Sequence, residues 1–521
     1  MRASRLVAGL VVVALVAVVV FAIAQSLHSG DDSPGAKSTP SLAPTPTPDP
    51  GSSEPPEPDL APFYGQTLDW QICPSGHDEC ATLTVPLDYT HPDDETIDLS
   101  VLKVPAQDQD SRIGSLVVDP GGPGASAMDY AAGGSWGKAL SEHFDIVGMD
   151  PRGVGQSDPI DCLSDQEMDT YLAGDPDPDT PAEIAEFEAS SEAFDAGCEA
   201  RSGDLAAHVS TVEAARDMDV LRSALGETEL SYFGASYGTE LGATYAEYFP
   251  DQVGRLVLDG AVDPTLSVQQ ETEAQAQGFE TALRSYVQNC LDEGDCFLGD
   301  TLDGGLARIK TLLDEVDKTP LPTQLGDREL TEGLAYYGIG VALYSRDAWT
   351  YLDQGLADAL DGDGSVLVLL ADAYARRNQD GTYSGNVLEA FPTISCLDDP
   401  SNIPYDQVES YVPEFEKVSP TFGRTFAWGM TMCNGFTAKA AEERRPLHGH
   451  GAAPIVVIGT TRDPATPYQE AVALAQQLES AVLVSRDGDG HTGYASGNAC
   501  VDGAVEDYLV DGTVPQDGLQ C

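Results

Sequence analysis

The chain has 521 residues, of which 41% are hydrophobic and 21% are charged, so most of it is able to bury a core. Its 26 basic and 86 acidic side chains leave a formal net charge of −60. A surface this negative repels phosphate backbones, which excludes nucleic-acid binding as a main role. The same charge favours cationic ligands, such as peptides with a free α-amino group, and it also keeps an exported protein soluble.

The N-terminal segment predicts export. Two arginines precede an unbroken apolar run from Leu6 to Ala24, which as a helix would reach roughly 28 Å, close to the thickness of a bilayer core. Small residues near its end offer a cleavage site, so residues 1–24 are either a cleaved signal peptide or an uncleaved membrane anchor. Residues 25–60 are rich in Pro, Ser and Thr and predict a disordered linker. The folded part is therefore expected to be extracytoplasmic, either secreted or tethered to the cell surface.

The cysteine pattern supports an oxidising compartment. Ten cysteines follow the linker, and an even number allows five disulfides with no thiol left over. No histidine stands beside them at ligand spacing, which argues against a metal site. Their spacing favours the local pairs Cys73–Cys80, Cys162–Cys198, Cys290–Cys296, Cys396–Cys433 and Cys500–Cys521.

Along the folded part, strand-like and helical patterns alternate. Ala214, Met218 and Leu221, at helical spacing before Gly226, predict one amphipathic helix. This alternation is typical of a parallel sheet that is covered by helices. The β-branched runs that predict its strands are 115–119, 144–150, 230–233, 255–259, 455–459 and 481–485.

The alternation stops over residues 267–438, where the pattern is mostly helical and strand signals are poor. We therefore predict an α-helical cap that is inserted into an α/β core. The core would consist of residues 61–266 and 439–521.

Two Gly-x-Ser-x-Gly patterns are present, and this pattern is typical of the catalytic serine of α/β-hydrolases, where a tight strand-to-helix turn exposes the hydroxyl. Ser236 follows a predicted strand and precedes a helix with an apolar face. Ser135 follows an Ala-rich stretch without strand alternation. We therefore predict Ser236 as the nucleophile and Ser135 as a loop serine.

A serine hydroxyl requires a base, and the base requires a carboxylate that orients it. His491 stands in a Gly-rich loop just past the last predicted strand, where this fold places its base. Asp463 follows the strand at 455–459, and the chain order Ser236, Asp463, His491 is that of the fold. Asp259, at the end of the preceding strand, is the alternative acid, and an exposed loop histidine is the alternative for His491.

An oxyanion intermediate needs backbone donors. The amide of Tyr237, directly after the nucleophile, is the first candidate. The second is Gly122, in the Gly/Pro-rich loop after the strand at 115–119, although such a loop is often only a turn.

Four motifs in series carry a family resemblance: Asp119-Pro-Gly-Gly-Pro-Gly, Asp150-Pro-Arg-Gly-Val-Gly-Gln-Ser, Gly234-Ala-Ser-Tyr-Gly and Asp259-Gly-Ala-Val-Asp-Pro. Together they resemble the exported tripeptidyl aminopeptidases and related proteases and esterases of actinobacteria, in the prolyl-aminopeptidase branch of the α/β-hydrolases. The region from about Arg445 to the last residue is similar to the characteristic C-terminal region of that family. The resemblance implies an α/β-hydrolase fold with a mostly parallel central sheet, a helical cap over the active site, and cleavage near a free N-terminus.

The resulting expectation is an extracytoplasmic serine exopeptidase that releases short peptides, with tripeptides favoured, from oligopeptides with a free N-terminus. Such chemistry requires no metal and no organic cofactor. The family implies acidic side chains that hold the substrate ammonium, and Glu271, Glu273 and Glu280 are candidates among which the sequence does not choose. A carboxylesterase or lipase with the same triad, and a non-catalytic surface-binding protein on the same fold, are the alternatives.

Overall fold

The computed structural model describes residues 54–521. The predicted leader at 1–24 and most of the predicted linker lie outside these residues. Within residues 54–521, no helix combines the length and the apolar character that a bilayer crossing demands.

A ten-stranded sheet forms the centre of the protein, and two further short strands pair separately. The strand order across the large sheet is β1-β2-β3-β5-β4-β6-β7-β10-β11-β12, and β8 pairs with β9. In chain order the strands are β1 Gln71–Ile72, β2 Glu79–Pro86, β3 Thr96–Val104, β4 Gly114–Asp119, β5 Phe144–Met149, β6 Leu230–Ala235, β7 Val253–Asp259, β8 Leu321–Pro322, β9 Glu329–Leu330, β10 Ile455–Arg462, β11 Ala481–Asp489 and β12 Leu519–Gln520.

The predicted strands form the parallel part of this sheet. Strands β5, β4, β6, β7, β10 and β11 pair in parallel, and every residue of β4 and β5 is buried. Helices cover both faces of such a strand, so its sequence is a continuous apolar run. Strands β1–β3 join antiparallel at one edge of the sheet. The first residues of β3 alternate between exposed and buried. Continuous apolar runs therefore did not predict this strand.

The helices lie around this sheet and in an insertion between β7 and β10. In chain order they are α1 Ala61–Tyr64, α2 Ala127–Gly133, α3 Lys138–His143, α4 Asp165–Leu172, α5 Pro181–Ser202, α6 Thr211–Ala224, α7 Tyr237–Tyr248, α8 Val268–Glu293, α9 Leu302–Lys318, α10 Glu332–Leu343, α11 Trp349–Leu360, α12 Ser365–Ala375, α13 Val387–Asp398, α14 Val412–Val418, α15 Gly423–Gly429, α16 Tyr468–Gln477 and α17 Ala499–Asp511.

Helices α8–α15 are here called the cap, and α8–α12 pack around a hydrophobic cluster that is separate from the core around the large sheet. Leu283, Ile309 and Ile339 are buried at its centre. Met168 and Leu172 of α4 are buried in the same cluster, although α4 precedes β6 in the chain. The cap therefore also packs against α4, which lies outside the insertion, and we propose domain limits at 266 and 438.

Five disulfides join the local pairs that the spacing favours, and none of the cysteines in residues 54–521 is free. Two of them lie in the cap, at Cys290–Cys296 and Cys396–Cys433. Five disulfides indicate an extracytoplasmic protein, because thiols stay reduced in the cytosol.

Candidate active site

Ser236 occupies the turn between β6 and α7, with a φ of 56° that non-glycine residues rarely adopt. Both flanking glycines are needed because neighbouring backbone is close. A Cβ on Gly234 would lie 2.2 Å from the carbonyl oxygen of Gly238, and a Cβ on Gly238 would lie 2.8 Å from that of Asp119. The turn therefore has the strained geometry that presents a serine hydroxyl at the end of a strand.

Ser135, by contrast, is exposed in the short connection between α2 and α3. No strand leads into it, and the backbone N–H of Gly137 donates to the Tyr494 hydroxyl at 2.8 Å. The second Gly-x-Ser-x-Gly pattern thus lies in a helix–helix loop and not in a strand-to-helix turn.

His491 follows β11 after one residue, and Asp463 follows β10 directly. The Nδ1 atom of His491 is 2.9 Å and 3.0 Å from the two carboxylate oxygens of Asp463. The Asp463 side chain is fully buried, and 11% of the His491 side chain is exposed. This contact fixes the tautomer of the imidazole. Nδ1 carries the proton and donates a hydrogen bond to the carboxylate, and Nε2 is available to accept a proton.

Asp259, the alternative acid, has a different set of contacts. Its carboxylate accepts hydrogen bonds from the backbone N–H groups of Gly493 and Tyr494, each at 2.8 Å, and its carbonyl oxygen accepts the N–H of Ser236 at 2.9 Å. Burial raises the pKa of Asp259 to about 6, although the two amides lower it. Asp259 therefore joins the nucleophile turn to the loop of His491, whereas Asp463 contacts the imidazole.

The imidazole also lies against Gly260, the residue after β7. The N–H of Gly260 donates to the carbonyl of Ile458 at 3.0 Å, and a Cβ on Gly260 would lie 3.2 Å from Cε1 of His491. The Nε2 atom of His491 is buried and has no hydrogen-bond partner within residues 54–521. Its hydrogen bond to the Ser236 hydroxyl is thus not formed here, and bonds of this kind often form only when substrate binds.

The charge balance around the imidazole favours its protonated form. Burial lowers the pKa of His491, but the charge of Asp463 and the hydrogen bond to it outweigh burial, so the net pKa lies above the ordinary value. A carboxylate in this position stabilises the imidazolium that forms during acyl transfer.

The two oxyanion candidates lie beside the turn. Tyr237 is the first residue of α7, where a backbone N–H has no partner inside its own helix. A Cβ on Gly121 would lie 2.7 Å from the Tyr237 nitrogen, so the loop after β4 contacts the turn. The N–H of Gly121 already donates to Asp119 at 2.8 Å, whereas Gly122 is exposed, which favours Gly122 as the second donor.

The cap contacts the histidine loop directly, which the sequence did not reveal. The backbone N–H of His491 donates to the carbonyl of Tyr344 at 2.8 Å. The Tyr344 ring packs edge-on against the imidazole, with 5.3 Å between the ring centroids. Gly490 has a φ of 100°, and a Cβ there would lie 2.9 Å from the same carbonyl. No local pattern identifies Tyr344, because this contact joins parts of the chain that are far apart in sequence.

The acidic candidates for an ammonium site differ in their surroundings. Glu280 is buried and accepts hydrogen bonds from Ser419 and Thr421, so it is occupied inside the cap. Glu271 has an accessible side chain, yet its surroundings, with burial first and the charge of Glu240 next, raise its pKa to about 7. Glu271 is therefore an exposed acid close to the charge of Glu240.

Three further charged residues near Glu271 were missed by the sequence analysis. Glu240, on the nucleophile helix α7, pairs with Arg444 at 2.5 Å. Asp398, at the end of α13, accepts hydrogen bonds from the N–H and hydroxyl of Thr211, and that hydroxyl contacts the Tyr237 hydroxyl. Of these residues, Arg444 could have drawn attention in the sequence, because a basic residue is uncommon in a chain with 26 basic and 86 acidic side chains.

The fold and the turn at Ser236 define an α/β-hydrolase. Residues 114–306 match the family described as alpha/beta hydrolase fold, and residues 419–521 match the family described as TAP-like protein. The fold class expected from the motifs is therefore confirmed, and the chain is a serine hydrolase.

Relatives that match most of the chain identify its branch. The chain is 36% identical to the serine protease Hip1 of Mycobacterium tuberculosis, over 88% of this chain and 92% of that protein. It is 38% identical to carboxylesterase B of the same species, over 85% and 86%. It is 29% identical to the tripeptidyl aminopeptidase of Streptomyces lividans, over 87% and 86%. The chain belongs to this family of α/β-hydrolases with a TAP-like C-terminal region, as the motifs indicate.

Proposed function

We propose that this chain is an extracytoplasmic serine exopeptidase that releases short peptides, tripeptides first among them, from the free N-termini of oligopeptides. The observation that carries the proposal is the imidazole of His491, which contacts Asp463 through Nδ1 while Nε2 stays unpaired. The ring lies against Gly260, and the preceding residue, Asp259, accepts the backbone N–H of Ser236. The names of the protease and aminopeptidase relatives support peptides as the substrate class.

In the proposed mechanism, His491 removes the proton of Ser236, and the hydroxyl oxygen attacks the carbonyl carbon of the scissile peptide bond. The amides of Tyr237 and Gly122 stabilise the oxyanion. His491 then protonates the leaving amine and an acyl-enzyme remains. A water molecule, activated by the same imidazole, releases the N-terminal peptide and restores the hydroxyl. Asp463 keeps the imidazole in position throughout, and no step requires a metal or an organic cofactor.

A group of acids near α7 supports an exopeptidase over an esterase. Glu240, Glu271 and Asp398 bring three carboxyl groups near one guanidinium, that of Arg444. Desolvation is the main cause that raises the pKa of Glu271 and of Asp398. An α-ammonium group bound among these acids would stabilise their ionised forms. A neutral ester substrate would gain nothing from this charge.

The five disulfides support a location outside the cytoplasm, and we further propose that residues 1–24 direct export. They would act either as a cleaved signal peptide or as an anchor that tethers the enzyme to the membrane. Mass spectrometry of the N-terminus of protein isolated from the native cells distinguishes the two.

Replacement of Ser236 tests the nucleophile. Ser236→Ala should reduce hydrolysis of a tripeptide anilide by at least about 10⁴-fold and abolish covalent labelling by a fluorophosphonate. Ser135→Ala is the matched control, and it should keep both activity and labelling. A labelled Ser236→Ala variant would disprove the assignment.

Blocking the substrate separates exopeptidase from esterase. Wild-type enzyme should cleave a tripeptide anilide with a free N-terminus and reject its N-acetylated form, whereas an esterase of the kind named among the relatives should cleave simple acyl esters and be indifferent to the block. Equal rates on both anilides would favour the esterase.

Glu271→Gln tests the ammonium site. It should raise KM for the free anilide by about 10- to 100-fold, the usual effect of a lost charged hydrogen bond, and leave hydrolysis of a small aryl ester unchanged. Glu273→Gln, two residues along the same helix, is the control and should leave KM unchanged. An unchanged KM in Glu271→Gln would remove this residue from the site without affecting the triad.

A further inference from the structure

A second cluster of acids lies far from the triad in sequence, where the cap meets the segment between α4 and α5. Asp175 belongs to the α4–α5 loop, Asp317 to the last turn of α9, and Glu332 is the first residue of α10. Each places one carboxylate oxygen within 4.8 Å of the other two. We propose that these three residues bind a calcium ion that joins the loop to both cap helices.

The strongest evidence for a ligand is an unpaired oxygen. Glu332 is 6% exposed, and its Oε2 atom is buried and receives no hydrogen bond from an N–H or hydroxyl donor in residues 54–521. The polar group that its carboxyl contacts is another carboxyl, that of Asp177. The hydroxyl oxygen of Thr331, the N-cap residue of α10, is also buried and unpaired. Buried carboxylate oxygens are costly unless they are hydrogen-bonded, paired with a charge or bound to a metal.

Nearby charges do not supply the missing partner. The Arg424 guanidinium donates to the carbonyl oxygens of Asp177 and Pro178 and pairs with Glu409, and the Lys318 ammonium donates to the carbonyl of Asp314.

Further carboxyl groups add to the negative charge. The Asp177 carboxylate faces the same space and accepts the Tyr336 hydroxyl at 3.2 Å. Burial, followed by the charges of Asp177 and Asp317, raises the pKa of Glu332 far above its ordinary value. Glu332 and Asp177 therefore share a proton at neutral pH, and a divalent cation would take the place of that proton among the carboxylates.

The donor set selects the ion. Carboxylate oxygens without nitrogen or sulfur favour a hard cation. Calcium takes six to eight oxygens in a flexible shell to which several carboxylates contribute. Magnesium requires near-octahedral geometry, keeps several of its waters and is usually held by one or two carboxylates, so a group of three carboxylates favours calcium. Backbone carbonyls and water complete a calcium shell in such sites.

The ion would act on structure and not on the acyl-transfer chemistry. Helix α10 begins at Glu332 and ends at Leu343, and the next residue is Tyr344, whose carbonyl accepts the N–H of His491. Calcium at the start of α10 would therefore fix the helix that leads to the histidine loop. It would stabilise the cap while leaving the triad itself unchanged.

Calorimetric titration of CaCl₂ into chelator-treated, desalted protein tests the proposal. Wild type should bind one calcium ion with a Kd below about 1 mM, the range of extracellular calcium sites. About 10 mM CaCl₂ should raise the thermal midpoint by at least about 2 °C. MgCl₂ should bind at least about tenfold more weakly, and equal binding of magnesium would overturn the choice of ion.

Variants locate the ion. Glu332→Gln and Asp175→Asn should each weaken calcium binding by at least about tenfold and lose the thermal shift; Asp175→Asn lies in a loop, so its fold should be intact if Glu332→Gln fails to fold. Asp303→Asn, on α9 with a side chain that is 93% exposed, removes the same charge elsewhere and should keep both responses. The proposal is overturned by absence of saturable binding in wild type, or by variants that bind as wild type does.

Discussion

The catalytic edge of the sheet and the cap satisfy their buried polar groups differently. At the edge, Asp463 accepts from the Ala465, Thr466 and Thr492 amides and contacts His491. The buried atom left unpaired there is Nε2 of His491, the atom that accepts a proton in the proposed mechanism. In the cap, the buried unpaired atom is a carboxylate oxygen of Glu332. The unpaired atom at the edge thus serves the proposed acyl transfer, whereas the one in the cap would bind the proposed cation.

The largest expected effect separates the two acids of the edge. Asp463→Asn should lower kcat/KM for a tripeptide anilide by about 10⁴-fold, because an amide favours the wrong imidazole tautomer. Asp259→Asn should cost far less, about tenfold, because Asp259 holds only the amides of Gly493 and Tyr494. Steady-state kinetics of both variants measure the difference, and a larger loss in Asp259→Asn would reverse their roles.

The next effect tests how tightly the edge is packed. Gly121 has a φ of 91°, and a Cβ there would lie 2.5 Å from the Ala235 carbonyl oxygen and 2.9 Å from the Ser236 Cβ. Gly121→Ala should therefore displace the turn and lower kcat by about 10²-fold, the usual cost of a misplacement near 1 Å.

A matched variant separates crowding from backbone strain. Gly76 has a φ of 88°, and a Cβ there would have no neighbour within 4 Å. Gly76→Ala should cost some stability but keep kcat. Equal loss of kcat in both variants would mean that strain, and not contact with the nucleophile turn, explains the effect.

The smallest effect concerns stability against pH, and it again involves buried carboxyl groups. Burial raises the pKa of Asp119 to about 7 and of Glu470 to about 8, whereas both are near 4 in an unfolded chain. The folded state therefore binds more protons than the unfolded state between these values. The stability that these groups contribute is fully present below about pH 4 and is lost as the pH rises through about 7 to 8.

The thermal midpoint in the presence of chelator should accordingly fall by several degrees between about pH 5 and about pH 8.5. Glu470→Gln should flatten the upper part of this curve, because the amide does not titrate. A midpoint that rises over this interval would contradict the pKa directions of both carboxyl groups.

The parts of the protein that short sequence patterns define were predictable. The parallel strands are continuous apolar runs, and the turn at Ser236 requires glycines two residues on either side because of contacts within the turn and with the adjacent strand end. The disulfides join cysteines at most 37 residues apart, so spacing alone favours the pairs that the structure contains. Strands β2 and β3 were missed because their burial pattern differs from that of the continuous runs.

The amino-acid sequence by itself determined the fold class, the family, and the residue types that acyl transfer requires, because each depends on neighbours along the chain. Only the tertiary structure decided which carboxylate contacts the imidazole, that Tyr344 of the cap segment contacts the histidine loop, and that Asp175, Asp317 and Glu332 lie close together. The physical reason is the same in each case: these contacts join residues from different elements, and their energy depends on distances that only the packing of sheet and cap creates.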